Sequence, residues 1–368
     1  MKTLIAAAAF AVGSVMPVLA ADLVVATAGP MSGPYKAFGV QMKAGTRQAI
    51  ADINAAGGIN GRRINLVVED DACDAKRATA VAEKLASAGA ALVVGHFCSA
   101  ASLSAAAVYA RTGIIQISPG ATAPQFTDQR AGPSIFRISG RDDRQGAVAG
   151  AYIARTFADR KVAILHDRTR YGRGLADQAK QAMTTAGLNE VMYEAFAAGG
   201  LDYAPLVAKL KAKQIAVVFI GGYHTEVGLI AREMRRQQLS AQLFSGDALA
   251  TDDYWALAGD AAEGTLMTFW PDPSTDPMAA NVVAKLKARG IAPTRHALFS
   301  YAAVQAWAQA SNAAQTTGST TAKTVVKALT TRSFRTVAGT FRFDTKGDST
   351  LPPFKIYRWA RGSYHQVN

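Results

Sequence analysis

Two short segments concentrate small and hydroxyl-bearing residues behind apolar runs: Gly95-His96-Phe97-Cys98-Ser99 and Ser118-Pro119-Gly120-Ala121-Thr122. Both read as loops at strand ends. Ser99 precedes an Ala-rich helical stretch and is a residue type favoured at helix N-caps, which would aim backbone amides with partial positive charge outward. Gly120 permits close approach to the backbone, and Thr122 offers a hydroxyl beside its own amide. Together the two loops can seat one carboxylate. Taken singly, each reads more simply as a cap or a turn.

A second set follows other apolar runs: Tyr171 in HDRTRYGRG, Tyr223 in GGYHTE and Asp247 in SGDALA. A lone carboxylate opposite an anion site suits a ligand carrying both charges, such as an α-amino acid. Asp247 reads equally well as the cap of the segment beginning near Thr251. Phe38, just after the GPMSGP turn at 29–34, is core or cleft wall with equal weight. His166-Asp167, Asp252-Asp253 and Ser99 are side chains familiar from enzymes, but no nucleophile elbow, phosphate loop or H-E-x-x-H surrounds them. No catalytic residue, metal or cofactor is therefore expected. Cys73 and Cys98, even with His96, lack the ligand spacing of a zinc site.

These residues need elements to position them. Strands are predicted at Leu23–Ala28, Ile64–Glu69, Ala91–Gly95, Ile114–Ile117, Lys161–His166, Ala216–Gly221 and Gln242–Ser245, with amphipathic stretches between. Such alternation predicts an α/β fold: two Rossmann-like lobes whose parallel sheets are flanked by helices, joined by a multi-strand hinge. Lobe 1 is expected over 21–140 plus 271–348, and lobe 2 over 141–270 plus 349–368. Ligands of open α/β sheets bind at the carboxyl ends of strands, so two facing sheets make a cleft.

The chain has 368 residues, 49% of them apolar and 18% charged, a globular balance that excludes a disordered chain. Its net charge of +13 comes from scattered residues with no basic run and no interleaved aromatic platform, so no nucleic-acid partner is expected. Residues 1–20 read as a secretory signal, with Lys2, the apolar block LIAAAAFAV and a cleavage site after Ala20 or Ala21. Export to the periplasm follows. In an oxidising compartment the Cys73 and Cys98 pair reads as one disulfide, worth about 3–4 kcal/mol on the chain-entropy model.

Taken in order, the segments MSGP at 31–34, AGTRQAIADINAAGGINGRRI at 44–64 and DDACDAKRA at 70–78 resemble the periplasmic leucine/isoleucine/valine-binding proteins of branched-chain amino acid ABC transporters. GHFCSA at 95–100, SPGAT at 118–122, HDRTRYGRGLA at 166–176, GGYHTE at 221–226, GDAAEG at 259–264 and YAAVQA at 301–306 continue the likeness across the mature chain. That family has the type I periplasmic binding fold. The resemblance implies that Ser99 and Thr122 bind the ligand's α-carboxylate. It puts the Gly120 carbonyl and Asp247 at the α-ammonium, and gives Phe38, Tyr171, Tyr223 and His296 the side-chain pocket. It also pairs Cys73 with Cys98.

Two positions depart from the pattern, which typically has Trp at position 38 and Glu at position 247. The shorter Asp247 must draw the lobes closer or reach the ammonium through water, and the smaller Phe38 ring widens the pocket. The implied function is a monomeric receptor that closes on a branched-chain or other hydrophobic L-amino acid and delivers it to a membrane permease. An aromatic or keto carboxylate on the same fold is the alternative.

Overall fold

A computed structural model of the protein describes residues 21–316 and 320–367. The expected signal segment at 1–20 lies outside the described residues. The first half of the chain lays down β1 (Leu23–Gly29), β2 (Ile64–Asp70), β3 (Ala90–Gly95), β4 (Ile115–Ser118) and β5 (Ile135–Arg137). These form one sheet in the order β2-β1-β3-β4-β5, all parallel. The second sheet takes β6 (Val162–His166), β7 (Met192–Ala195), β8 (Val217–Gly221), β9 (Gln242–Ser245) and β10 (Leu266–Phe269). A hairpin of β11 (Ser333–Thr336) and β12 (Gly339–Arg342) stands apart. Finally β13 (Lys355–Ala360) and β14 (Ser363–Gln366) complete the second sheet, in the order β14-β13-β10-β9-β8-β6-β7. Only the pairings of β13, with β10 and with β14, are antiparallel there.

The helices are α1 (Lys36–Ala55), α2 (Ala75–Ser87), α3 (Ser99–Thr112), α4 (Gln125–Asp128), α5 (Asp142–Thr156) and α6 (Arg170–Thr185). Then come α7 (Ala204–Ala212), α8 (His224–Arg236), α9 (Asp252–Ala258), α10 (Ala280–Ala288), α11 (Arg295–Thr316) and α12 (Ala322–Thr331). Strand residues such as Val93, Val94, Ile164, Leu165, Phe219 and Ile220 are wholly buried, as continuous apolar strands covered on both faces must be.

The chain crosses between the sheets three times. It leaves β5 for α5, which packs on α6 and β10; it returns after β10 to α11, which packs on α1 and β3; and it crosses again from Ser349 to β13. The return brings α11 very close to α1. A Cβ on Gly45 would overlap the Ala297 carbonyl, so glycine there lets the two helix backbones meet and brings the start of α11 to the cleft. Arg137, at the end of β5, pairs with Asp348 at 2.7 Å, and the Arg137 amide donates to the Gly347 carbonyl at 2.9 Å, tying β5 to the last crossing. Among the described residues no helix is long and apolar enough to cross a membrane.

Candidate functional site

The carboxyl ends of the two sheets face each other, and the loops there are tightly fixed. After β3, the buried His96 ring lies between Asp71 (Nδ1 to Oδ2, 2.6 Å) and the Tyr109 hydroxyl (Nε2 to Oη, 2.9 Å). The other Asp71 oxygen accepts from the Cys73 amide at 2.7 Å. Cys73 is disulfide-bonded to Cys98, with Cα atoms 5.4 Å apart. Loop 95–98 is thus held from α3, β2 and the disulfide at once.

Ser99 is not the helix cap that its residue type suggests. Cys98 occupies the N-cap of α3 with no side-chain capping bond, and Ser99 is the first helical residue. With Cys98 committed to the disulfide, the Ser99 hydroxyl turns to the neighbouring loop and accepts from the Ala123 amide at 3.3 Å. That loop is organised by Ser118, whose Oγ donates to the His96 carbonyl (2.7 Å) and accepts from the Ala121 amide (2.9 Å). The buried Arg137 guanidinium takes the carbonyls of Ala121 and Ala123 at 3.1 and 2.8 Å. The Thr122 hydroxyl, wholly buried, has no hydrogen-bond partner. Gly120 abuts the Phe97 ring so closely that no Cβ would fit.

From the second sheet, α6 is capped by Thr169 and presents Tyr171. The Tyr171 hydroxyl donates to Asp247 Oδ1 at 2.8 Å, and Gln145 Nε2 donates to the same oxygen at 2.6 Å. Gln145 Oε1 accepts from the Asp247 amide (3.3 Å) and from the Thr268 hydroxyl (3.2 Å). Thr251, not Asp247, caps α9. Asp247 is therefore aimed inward, and burial raises its carboxyl to about 7 against the opposing pull of the Tyr171 hydrogen bond.

Asp142 begins α5 and donates its amide to the Thr122 carbonyl at 2.8 Å. Its side chain is wholly buried and neither carboxylate oxygen has a hydrogen-bond partner. Burial and then the facing Asp247 hold this carboxyl far above the usual carboxylate range, although the nearby Thr122 hydroxyl and Arg137 pull it down. The sequence reading missed it. An acidic pair at a helix start reads as a complement to the helix dipole, which describes Asp143, bonded to Arg141 at 2.8 Å, but not the inward Asp142.

The other end of the site is aromatic. Phe38 stacks on Phe97 with ring centroids 4.3 Å apart, and the His296 ring meets both edge-on at 5.4 and 5.2 Å. Phe97 supplies ring surface beside the small Phe38. Tyr223 lies 5.0 Å from Tyr171 and 4.3 Å from Tyr35, a residue of the first lobe's GPMSGPY turn. His224 meets Phe38 edge-on at 5.5 Å. Burial keeps both imidazoles neutral, lowering His296 to about 3 and His224 to about 4.

All eight expected site residues thus meet in one cluster: Ser99, Gly120, Thr122, Asp247, Phe38, Tyr171, Tyr223 and His296. Of these, every side chain is at most 5% exposed, so the cluster excludes bulk water. The sequence reading lacked Asp142, Gln145, Phe97, Tyr35 and His224. Of these, Phe97 and His224 sat inside segments already singled out. Among the described residues no group of three or more His, Cys, Asp or Glu is arranged to hold a metal ion.

A family model described as "Periplasmic binding protein" matches residues 23–363. The chain is similar to the "Leu/Ile/Val-binding protein homolog 1" of Brucella suis, 44% identical over 95% of this chain and 93% of that one. It is also similar to the "Amino acid binding protein" of Pseudomonas aeruginosa, 43% identical over 98% of this chain and 97% of that one. The crystal structure of the leucine binding protein LivK from Thermotoga maritima shares the fold, with a TM-score of 0.86 at 22% identity, covering 94% of this chain and 98% of that one.

Proposed function

Because the chain belongs to the periplasmic binding protein family, we propose that it is the periplasmic receptor of an ABC importer that closes on one α-amino acid and presents it to a membrane permease. The lobes are 21–140 plus 271–348 and 141–270 plus 349–368, with residues 1–20 as the export signal. One observation carries the reading. Two buried carboxyls, Asp142 and Asp247, face each other in the same cluster as the buried Ser99 and Thr122 hydroxyls. Buried like charges are stable only when protonated or met by a cation. An α-ammonium set between them, with its carboxylate on Ser99 and Thr122, satisfies both ends.

Each charge-assisted bond is worth about 1.5–3 kcal/mol net, and more once closure has excluded water. The ring-lined end adds roughly 25 cal/mol per Å² of ligand surface buried. The names of the relatives, Leu/Ile/Val-binding and amino acid binding, support an amino acid ligand. The ligand favours the closed form because only that form contacts it from both lobes. No step of this scheme makes or breaks a covalent bond, and the protein acts as a receptor, not an enzyme.

Calorimetric titration of the mature protein with the twenty common amino acids tests the reading. Saturable binding of one or more is expected, with the corresponding keto acids far weaker. Binding of none, or equal binding of keto acids, overturns it.

A further inference from the structure

We infer that the end of the site receiving the ligand's side chain selects for a hydroxyl or N–H group there, with His296 and His224 as the acceptors; this rests on the amino-acid reading above. Phe38 marks that end. It is wholly buried, stacked on Phe97, and the two imidazoles meet its ring edge-on from different elements, His296 from the start of α11 and His224 from the start of α8. A pocket for hydrocarbon alone needs no imidazole there.

The atoms left over are specific. His296 Nδ1 lies 3.3 Å from Gln41 Oε1, which places the imidazole proton on Nδ1 and leaves Nε2 as a bare acceptor. That Nε2 is buried and has no partner; its ring neighbours Phe97, Phe269 and Trp270 give it none. On His224 the Pro34 carbonyl favours the ring's proton, and Nδ1 is likewise buried without a partner. Burial keeps both rings neutral, so each presents a lone pair and not a charge. Buried acceptors are almost always paired in native proteins. A ligand side chain bearing a donor pairs them, whereas an isosteric hydrocarbon leaves them unpaired and is rejected for that reason.

Isosteric ligand pairs read this out. Dissociation constants of L-threonine and L-valine, and of L-tyrosine and L-phenylalanine, are measured by calorimetry on the wild type and on the His296→Phe and His224→Phe variants. In the wild type the hydroxylated member of at least one pair is expected to bind more tightly, and at least one variant is expected to shift that ratio toward the hydrocarbon by about fivefold or more. A wild-type preference for the hydrocarbon member of both pairs, or shifts below about fivefold in both variants, overturns the inference. A second readout needs no variant: the 15N resonance of His296 Nε2 or of His224 Nδ1 in the wild-type protein should move on binding the hydroxylated ligand and not its isostere. If neither resonance shows that difference, the inference falls even when the variants do not fold. Failure of every amino acid to bind the wild type would instead sink the zwitterion reading on which this one stands.

Discussion

The Tyr171 hydroxyl donates to Asp247 Oδ1 at 2.8 Å, and Gln145 reaches the same oxygen from the first turn of α5. Position 247 is thus braced from two elements, so the short Asp side chain is held where a longer Glu would need less support. Asp142 lies one helical turn before Gln145 and faces the same cluster. One helix start therefore supplies both a second carboxyl and the group that orients the first.

Asp247→Asn should lower amino-acid affinity by about 10- to 100-fold, the worth of one charge-assisted bond, while leaving keto-acid analogues nearly unchanged. It should also change stability. A carboxyl held near 7 in the folded state and near its ordinary value when unfolded costs the ligand-free protein stability as pH rises from about 4 to about 7, with no further loss above. Urea unfolding across that range should show wild-type stability falling by as much as about 4 kcal/mol and the Asn variant flatter. Parallel curves for the two proteins would contradict this assignment.

Binding should move protons. An ammonium beside Asp142 and Asp247 favours their ionised forms, so at pH 6 the protein should release up to about one proton as an amino acid binds. Affinity should then rise as pH increases toward about 7. Calorimetry in two buffers of different ionisation enthalpy measures the released protons directly, and identical enthalpies in both would count against a carboxyl pair at the ammonium.

Much of the fold was legible because strands buried on both faces must be almost wholly apolar, as Val162–His166 and Val217–Gly221 are. Shorter strands escaped. Ile135–Arg137 has three residues and ends in an arginine whose partner, Asp348, is more than two hundred positions away. The loops carrying Ser99, Thr122 and Asp247 stand out by residue type, but each residue alone reads as well or better as a cap or turn, and only the family resemblance gives them ligand roles. Their orientations were not. Ser99 looked like a cap and proved to bridge two loops, because the disulfide fixes the preceding residue. Asp142 was invisible because nothing local distinguishes it from Asp143; only the crossing from β5 to α5 turns one inward and the other toward Arg141.

Arg137 and Asp348 should be as important to the site as to stability. Arg137 pairs with Asp348 while holding the carbonyls of Ala121 and Ala123, which flank Thr122. Asp348→Ala leaves a buried guanidinium without its main counter-charge and should cost roughly 3–5 kcal/mol. Arg137→Met combined with Asp348→Leu removes both charges and should recover much of that loss, yet leave ligand affinity low because loop 121–123 has lost its anchor. Denaturant unfolding and calorimetry on the same samples separate the two effects. Full affinity in the double variant would show that the loop holds its shape without Arg137.

The disulfide joins the same two properties by a different route. Closing 25 positions of chain between Cys73 and Cys98 should stabilise the fold by about 3–4 kcal/mol through the unfolded state, a contribution that says nothing about the site by itself. Its placement does. Cys98 directly precedes Ser99, and the Cys73 amide is bonded to Asp71, which also holds His96. Reduction should therefore free both ends of loop 95–99 and weaken ligand binding by more than the stability loss alone would produce. The check is to titrate ligand at a temperature where the reduced protein is still folded by circular dichroism. An unchanged dissociation constant there would mean that the Asp71–His96–Tyr109 network holds Ser99 unaided, and that the disulfide serves stability only.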